Sequence, residues 1–175
     1  MPSSIKKVSG PHFSDSGFYN VSLSCPCSQL FLRCEIYNEL TINSIDGIIG
    51  RWFLSDCYIH KLVLPSTIKT IEVNAFANCR IDELVIPSSI TYWAFGGYNF
   101  FDEKNPSFKQ PKVVNFIYKG NKKQLKMILE SSVRKDRSAH VKYVRVDETQ
   151  IIHCNDGDVV CKNKDNTTFD VVFIK

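Results

Sequence analysis

The sequence predicts a short solenoid, α+β but mostly β, in which turns of parallel strand stack on one another. Three observations predict it. An apolar triplet followed by Pro-Ser occurs as Leu62-Val63-Leu64-Pro65-Ser66 and again, 22 residues later, as Leu84-Val85-Ile86-Pro87-Ser88. The same offset carries Trp52-Phe53-Leu54-Ser55-Asp56-Cys57 onto Asn74-Ala75-Phe76-Ala77-Asn78-Cys79, so two cysteines share one position of a repeat. It also carries Ile68 and Ile71 onto Ile90 and Trp93, Phe76 onto Tyr98 and, backwards, Leu62 and Leu64 onto Leu40 and Ile42. Apolar character is kept at these positions while the residues between them vary. A period of roughly 20–29 residues with an L-x-L centre is that of a leucine-rich solenoid.

Strand geometry explains the pattern. In Lys61-Leu62-Val63-Leu64 successive side chains alternate, so Leu62 and Leu64 point inward while Lys61 and Val63 face out. Pro65 removes a ladder donor and ends the strand. Ile68 and Ile71 return the chain across the core, and Phe76 and Cys79 close the turn. One turn cannot cover its own apolar face, so the turns must stack.

The rest of the chain is arranged around these turns as a single domain, 1–175. Residues 1–38 are expected as an N-terminal β cap, with the alternation in 14–38 (Val21, Leu23, Leu30, Leu32, Cys34, Ile36) suggesting a hairpin over the solenoid edge. Residues 39–118 make about four irregular turns. Within them 99–112, with Pro106 and Pro111, reads as an inserted loop, after which Val114, Phe116 and Tyr118 resume the ladder. Residues 119–175 form a C-terminal cap. Asn121 is an N-cap with Gln124 three residues on, and Leu125, Ile128, Leu129 and Val133 form one stripe, predicting a helix over 122–134. The tail reads as a hairpin turning near Asp165-Asn166.

Composition sets the class. With 43% apolar residues, 8 Gly and 7 Pro in 175 residues, this is an ordinary folded chain. Seven cysteines is an odd count that favours reduced thiols over a disulfide framework, and Cys57 and Cys79 are expected to be buried and unpaired. No apolar run follows Lys6-Lys7 as a leader would require, and no stretch approaches the ~20 apolar residues of a membrane span. These readings favour an intracellular, reducing location, with association with a virion as the other expectation.

At "LVLPSTIKTIEVNAFANCRIDELVIPSSI" the sequence resembles the BspA-like leucine-rich repeats, whose unit runs roughly L-x-I-P-x-S/T-I-x-x-I-x-x-x-A-F-x-x-C. "FIYKGNKKQLKMIL" followed by "IIHCNDGD" resembles the strand–helix–strand segment that closes many such proteins. The resemblance covers about residues 40–158. It implies a binding scaffold without chemistry of its own, known best from surface and adhesion proteins and found also in protists and viral genomes. It does not name a partner.

No constellation argues for catalysis. Cys25-Pro26-Cys27 with Cys34 lacks the second ligand pair that zinc requires. His153 and Cys154 are neighbours on a strand and point to opposite faces, so they do not form a thiol–base pair. Asn155-Asp156-Gly157-Asp158 lacks the spaced ligands of a calcium loop and reads as a turn. Phosphate loop, nucleophile elbow and HExxH motifs do not occur. No enzyme activity, cofactor or metal is expected.

Two surfaces remain. The outward positions of successive strands pair Glu39 with Thr41, Lys61 with Val63, Glu83 with Val85 and Asn115 with Ile117, a strip suited to recognition with Val63, Val85 and Ile117 as its apolar line. The second is basic. Residues 119–145 hold nine basic and two acidic residues, about +7 against about −3 for the remainder of a chain whose net charge is +4. Lys122, Lys123, Lys126, Arg134, Lys135 and Arg137 belong to that segment. Lys122 and Lys123 fall in the first helical turn, where the dipole disfavours cations by a few tenths of a kcal/mol. The expected function is non-catalytic binding of a protein partner, with inhibition of a host protein by a viral or intracellular chain as its narrower form. The alternatives are a structural or assembly role and nucleic-acid association through 119–145.

Overall fold

In a computed structural model the described residues are 8–10, 13–23, 27–28, 30–43, 47–72, 75–93, 112–135, 150–165 and 168–173. The chain repeats one sequence of elements: two short strands, then a long one. β1 (Val8–Ser9), β2 (Phe13–Ser14) and β3 (Gly17–Leu23) make the first such triplet, and β4 (Cys27–Ser28), β5 (Phe31–Leu32) and β6 (Glu35–Ile42) the second. The third is β7 (Ile48–Ile49), β8 (Leu54–Ser55) and β9 (Tyr58–Val63); the fourth is β10 (Thr70–Ile71), β11 (Phe76–Ala77) and β12 (Arg80–Ile86). β13 (Tyr92–Trp93) and β14 (Lys112–Tyr118) continue the pattern. α1 (Lys122–Lys135), β15 (Gln150–Cys154), β16 (Gly157–Asp165) and β17 (Thr168–Phe173) close the chain.

Stacking these units builds sheets that run from turn to turn. The long strands form an eight-stranded sheet in the order β3-β6-β9-β12-β14-β15-β16-β17. The short ones form β2-β5-β8-β11, β7-β10-β13 and β1-β4. Among the described residues every pairing up to β15 is parallel, and β15–β16 and β16–β17 are antiparallel. The 22-residue register of the sequence is the register of the structure. Leu40, Leu62, Leu84, Phe116 and Ile152 are successive partners, all buried. Ile71 pairs with Trp93 in the side sheet, as the offset requires. Each fully buried aliphatic or aromatic side chain contributes roughly 1.5–3 kcal/mol of burial free energy. Phe76, 3% exposed, meets Phe53 edge to face at 6.4 Å.

Between the short and long strands the chain turns a corner at one left-handed residue: Asp15, Arg33, Asp56 and Asn78, with φ of 53°, 52°, 56° and 57°. Outside glycine this conformation costs roughly 1–2 kcal/mol, least for Asn and Asp. Arg33 departs from that preference and is held by Asp15, its Nε and Nη2 donating to the two carboxylate oxygens at 2.6 and 2.8 Å. Asn78 Nδ2 donates to Asp56 Oδ1 at 2.9 Å. The residue after each corner is Ser16, Cys34, Cys57 or Cys79, and its hydroxyl or thiol donates to the carbonyl two residues back. A small buried group with a weak donor is what this position needs, which explains the cysteine repeat. Cys34, Cys57, Cys79 and Cys154 are free thiols, the first three buried.

One expectation is corrected. The 14–38 strands do not form a hairpin: β3 pairs with β6, and β2 with β5, in parallel. They are further turns of the solenoid, with a shorter step, since Gly17 pairs with Glu35 where Tyr58 pairs with Arg80. The predicted loop over 99–112 lies outside the described residues except for Lys112, which begins β14. Tyr98 also lies outside them. The helix over 122–134 is observed as Lys122–Lys135. The tail hairpin is observed as β16–β17, its turn at 166–167 outside the described residues.

The C-terminal end is closed by packing. α1 lies against β13 and β16 and buries Leu125 and Ile128. Asn121 and Gln124 cap it reciprocally, Gln124 N donating to Asn121 Oδ1 at 2.8 Å and Asn121 N to Gln124 Oε1 at 3.0 Å. The chain enters this helix across the ring of Tyr118, where a Cβ on Gly120 would stand 2.4 Å from Tyr118 Cε1. Glycine is required there by close approach.

Candidate functional site

The outward face of the eight-stranded sheet collects the eight residues singled out by alternation. Glu39, Lys61, Glu83 and Asn115 are successive cross-strand partners, and so are Thr41, Val63, Val85 and Ile117. Two continuous rows result. All eight side chains are half-buried, because each is flanked by its neighbours in the stack.

The first row is tied together by its own side chains, two carboxylates sharing one ammonium. Lys61 Nζ lies 3.2 Å from Glu83 Oε1 and 4.0 Å from Glu39 Oε2. Asn115 Nδ2 donates to Glu83 Oε2 at 3.2 Å, and Thr41 Oγ1 donates to Glu39 Oε1. Such pairs at a half-exposed surface fix geometry more than they stabilise, at about 0–1 kcal/mol each. The second row supplies apolar surface beside them.

A third row was not anticipated. The strands do not alternate strictly, for consecutive residues point outward between buried ones: three between Ile36 and Leu40, and two each between Ile59 and Leu62 and between Ile81 and Leu84. The β6 copy is a residue longer and shifts the ladder, as a bulge does. Large side chains among the additional outward residues protrude: Tyr19 is 70% exposed, Tyr37 54% and Val114 61%. Beside them Asn38 Nδ2 donates to Asn20 Oδ1 at 2.8 Å. Asp82 organises the centre, accepting from Tyr58 Oη and lying 3.2 Å from His60 Nδ1 and 3.5 Å from Arg80 Nε. Arg80 stacks over the Tyr58 ring at 5.6 Å. The Tyr58 hydroxyl holds the Asp82 carboxyl below the usual range, and the same bond pushes the Tyr58 phenol up. Consecutive outward residues break period two, so alternation could not find this row.

The basic segment is gathered only in part. Lys123 and Lys126 are exposed on α1 and Lys122 is half-buried. Arg134 and Lys135 lie in the helix with side chains outside the described residues, as is all of Arg137. The cationic first turn has a compensating partner missed in the sequence: Lys122 N donates to Asp156 Oδ1 at 2.8 Å, an acid at the positive end of the helix.

His153 and Cys154 do not pair. His153 Nδ1 lies 2.8 Å from Asp158 Oδ1 across the β15–β16 hairpin. Cys154 packs against the core, and burial pushes its thiol up to about 11. Among the described residues no three His, Cys, Asp or Glu side chains are grouped to hold a metal ion, and no helix is long and apolar enough to cross a membrane.

Stacked parallel turns of this length with a leucine and isoleucine ladder define a leucine-rich solenoid. More narrowly, the BspA type leucine-rich repeat region matches in six copies over residues 1–105 and 27–128, and the chain belongs to that family. The match begins well before Leu40, in agreement with the solenoid turns found at 13–42. No curated protein and no solved structure matches the chain.

Proposed function

We propose that this chain is a non-catalytic binding module that takes a protein partner on the outward face of its long sheet. One observation carries the reading: three side-chain rows run across the sheet, and Lys61 and Asp82 are already engaged by neighbours within the face. A partner therefore meets a surface whose ammonium is already engaged and whose first row carries one carboxylate in excess, with Val63, Val85 and Ile117 as apolar contact and Tyr19 and Tyr37 protruding beside them. Tyrosine, asparagine and serine are the composition of adaptable recognition surfaces. Leucine-rich repeats of this family serve commonly as interaction modules, which supports the class of function and leaves the partner open.

A Val63→Glu, Val85→Glu double variant tests it. Both residues are half-buried outward positions, so folding should survive the change. The expected result is loss of whatever protein the wild-type chain captures from cells that express it, with melting unchanged. Capture unaltered in a folded double variant rules the face out. Residues 119–145 then become the surface to test, with steeply salt-dependent binding of nucleic acid as the signature of that alternative.

A further inference from the structure

One side-chain arrangement occurs twice on the outward face, once complete and once without its cation. In the complete copy Tyr58 Oη donates to Asp82, and Arg80 stacks over the Tyr58 ring at 5.6 Å. Arg80 Nε also lies 3.5 Å from Asp82 Oδ1. Tyrosine, carboxylate and guanidinium thus close on one another, so that ring and carboxylate attract the same cation.

The second copy is on β6, whose charged residues, Glu35 and Glu39, are both acidic. Glu35 and Tyr37 are two positions apart and share the outward face. Both are exposed, Tyr37 by 54%. The Tyr37 ring rests against β3 at Gly17, where a Cβ would stand 3.0 Å from Tyr37 Cε2. A residue without a side chain makes that seat. The Glu35 carboxylate meets the Tyr37 hydroxyl and pushes the phenol up. Cross-strand order is Gly17, Glu35, Tyr58, Arg80, which sets Glu35 between the seat of one tyrosine and the ring of the other. Among the described residues no Lys, Arg or His is paired with Glu35. Lys61 is turned away from it, 3.2 Å from Glu83 and reaching β6 only at Glu39, 4.0 Å off.

We infer that the partner of this face supplies the cation, an arginine whose guanidinium stacks on Tyr37 and pairs with Glu35, as Arg80 does with Tyr58 and Asp82. The inference rests on the protein-binding reading above and names the chemistry of the partner's anchor. Charge complementarity selects a cation here. The chain carries +4 overall, so a basic partner is attracted at this acidic strand and repelled elsewhere, which fixes where it docks. A planar guanidinium can stack on a ring and pair with a carboxylate at once, which selects arginine over lysine.

The test selects binders of the full chain from a random peptide library displayed on phage, counter-screened against the Val63→Glu, Val85→Glu double variant. Peptides that bind the wild type and not the double variant should be enriched in arginine. Replacing that arginine by citrulline, which keeps its shape and removes its charge, should weaken binding about fivefold. Glu35→Gln and Tyr37→Leu should each weaken the parent peptide by a similar factor, with melting as in the wild type. The citrulline peptide should not distinguish Glu35→Gln from the wild type, because the paired charge is already gone. Losses that simply multiply would show that the two groups do not meet, and overturn the inference. Counter-screened peptides without arginine enrichment, or indifferent to both variants, overturn it as well and leave the face standing as a binding surface. If no peptide separates the wild type from the double variant, the protein-binding reading falls and the inference with it.

Discussion

At the C-terminal end of the solenoid the last parallel strands are followed by a capped helix and a hairpin, with charged side chains at their margins. Asn121, Gln124 and Asp156 satisfy backbone donors at the start of that helix. At the N-terminal end the described structure finishes as one more turn, poor in charge, with phenyl rings at its rim. The same repeat unit therefore supports two finishes. The comparison teaches that the ladder itself does not specify an end: closure at the C-terminal side is a property of added segments.

The largest expected effect compares phenylalanines at the two ends. Phe116, 2% exposed and 5.4 Å from Trp93, is enclosed by the C-terminal finish. Replacing it with Ala should cost about 3–5 kcal/mol in urea unfolding. Phe13→Ala, at a ring already 36% exposed, should cost about 1–2 kcal/mol. Equal costs would mean that the N-terminal rim is as closed as the other.

Glycines sharpen the contrast at intermediate scale. Gly120→Ala drives a methyl into the buried Tyr118 ring and should destabilise by about 1–3 kcal/mol. Gly17→Ala meets the Tyr37 ring at 3.0 Å, but that ring is exposed and can swing aside, so the cost should stay below about 1 kcal/mol. Thermal melting of the two variants decides between them.

The smallest effect has the opposite sign. Tyr118 is 1% exposed and its hydroxyl has no hydrogen-bond partner among the described residues; burial raises its pKa. Tyr118→Phe should stabilise the chain by about 1 kcal/mol, since the cost of burying an unsatisfied hydroxyl is removed. A loss of stability of that size would show that the hydroxyl is satisfied in solution and that the C-terminal finish includes it.

The parts of this fold that were legible in the sequence are those built by a constant step. From Leu40 onward the offset near 22 places leucine on leucine and cysteine on cysteine, and both the helix and the tail hairpin follow from local spacing. The first turn was illegible because its step is shorter: Phe18 pairs with Ile36, 18 residues on, against 23 from Ile36 to Ile59. With the repeat out of phase, its alternating residues resemble any hairpin. Cys34 was hidden in the same way, although it shares a column with Cys57 and Cys79. On the candidate face, two of three rows were readable from alternation. The protruding row escaped because Tyr37, His60 and Asp82 lie where consecutive residues face outward.

The corner of each turn has a consequence for how such a chain changes length. The left-handed residue stands two positions after the start of its short strand and two before the long strand, at Phe13-Asp15-Gly17, Phe31-Arg33-Glu35, Leu54-Asp56-Tyr58 and Phe76-Asn78-Arg80. The corners keep strict time while the turns around them do not. The 18-, 23- and 22-residue steps, and the 32 residues from Arg80 to Lys112, are accommodated elsewhere, chiefly after the long strand and by one residue in its bulge. An added codon between Phe76 and Arg80 would flip the inward and outward faces of everything downstream in that turn. A dozen codons added after Ile86 would leave both ladders in phase. Gene-level insertion and deletion are thus steered to one side of the prism, and the recognition face can be inherited intact while its flank is rewritten.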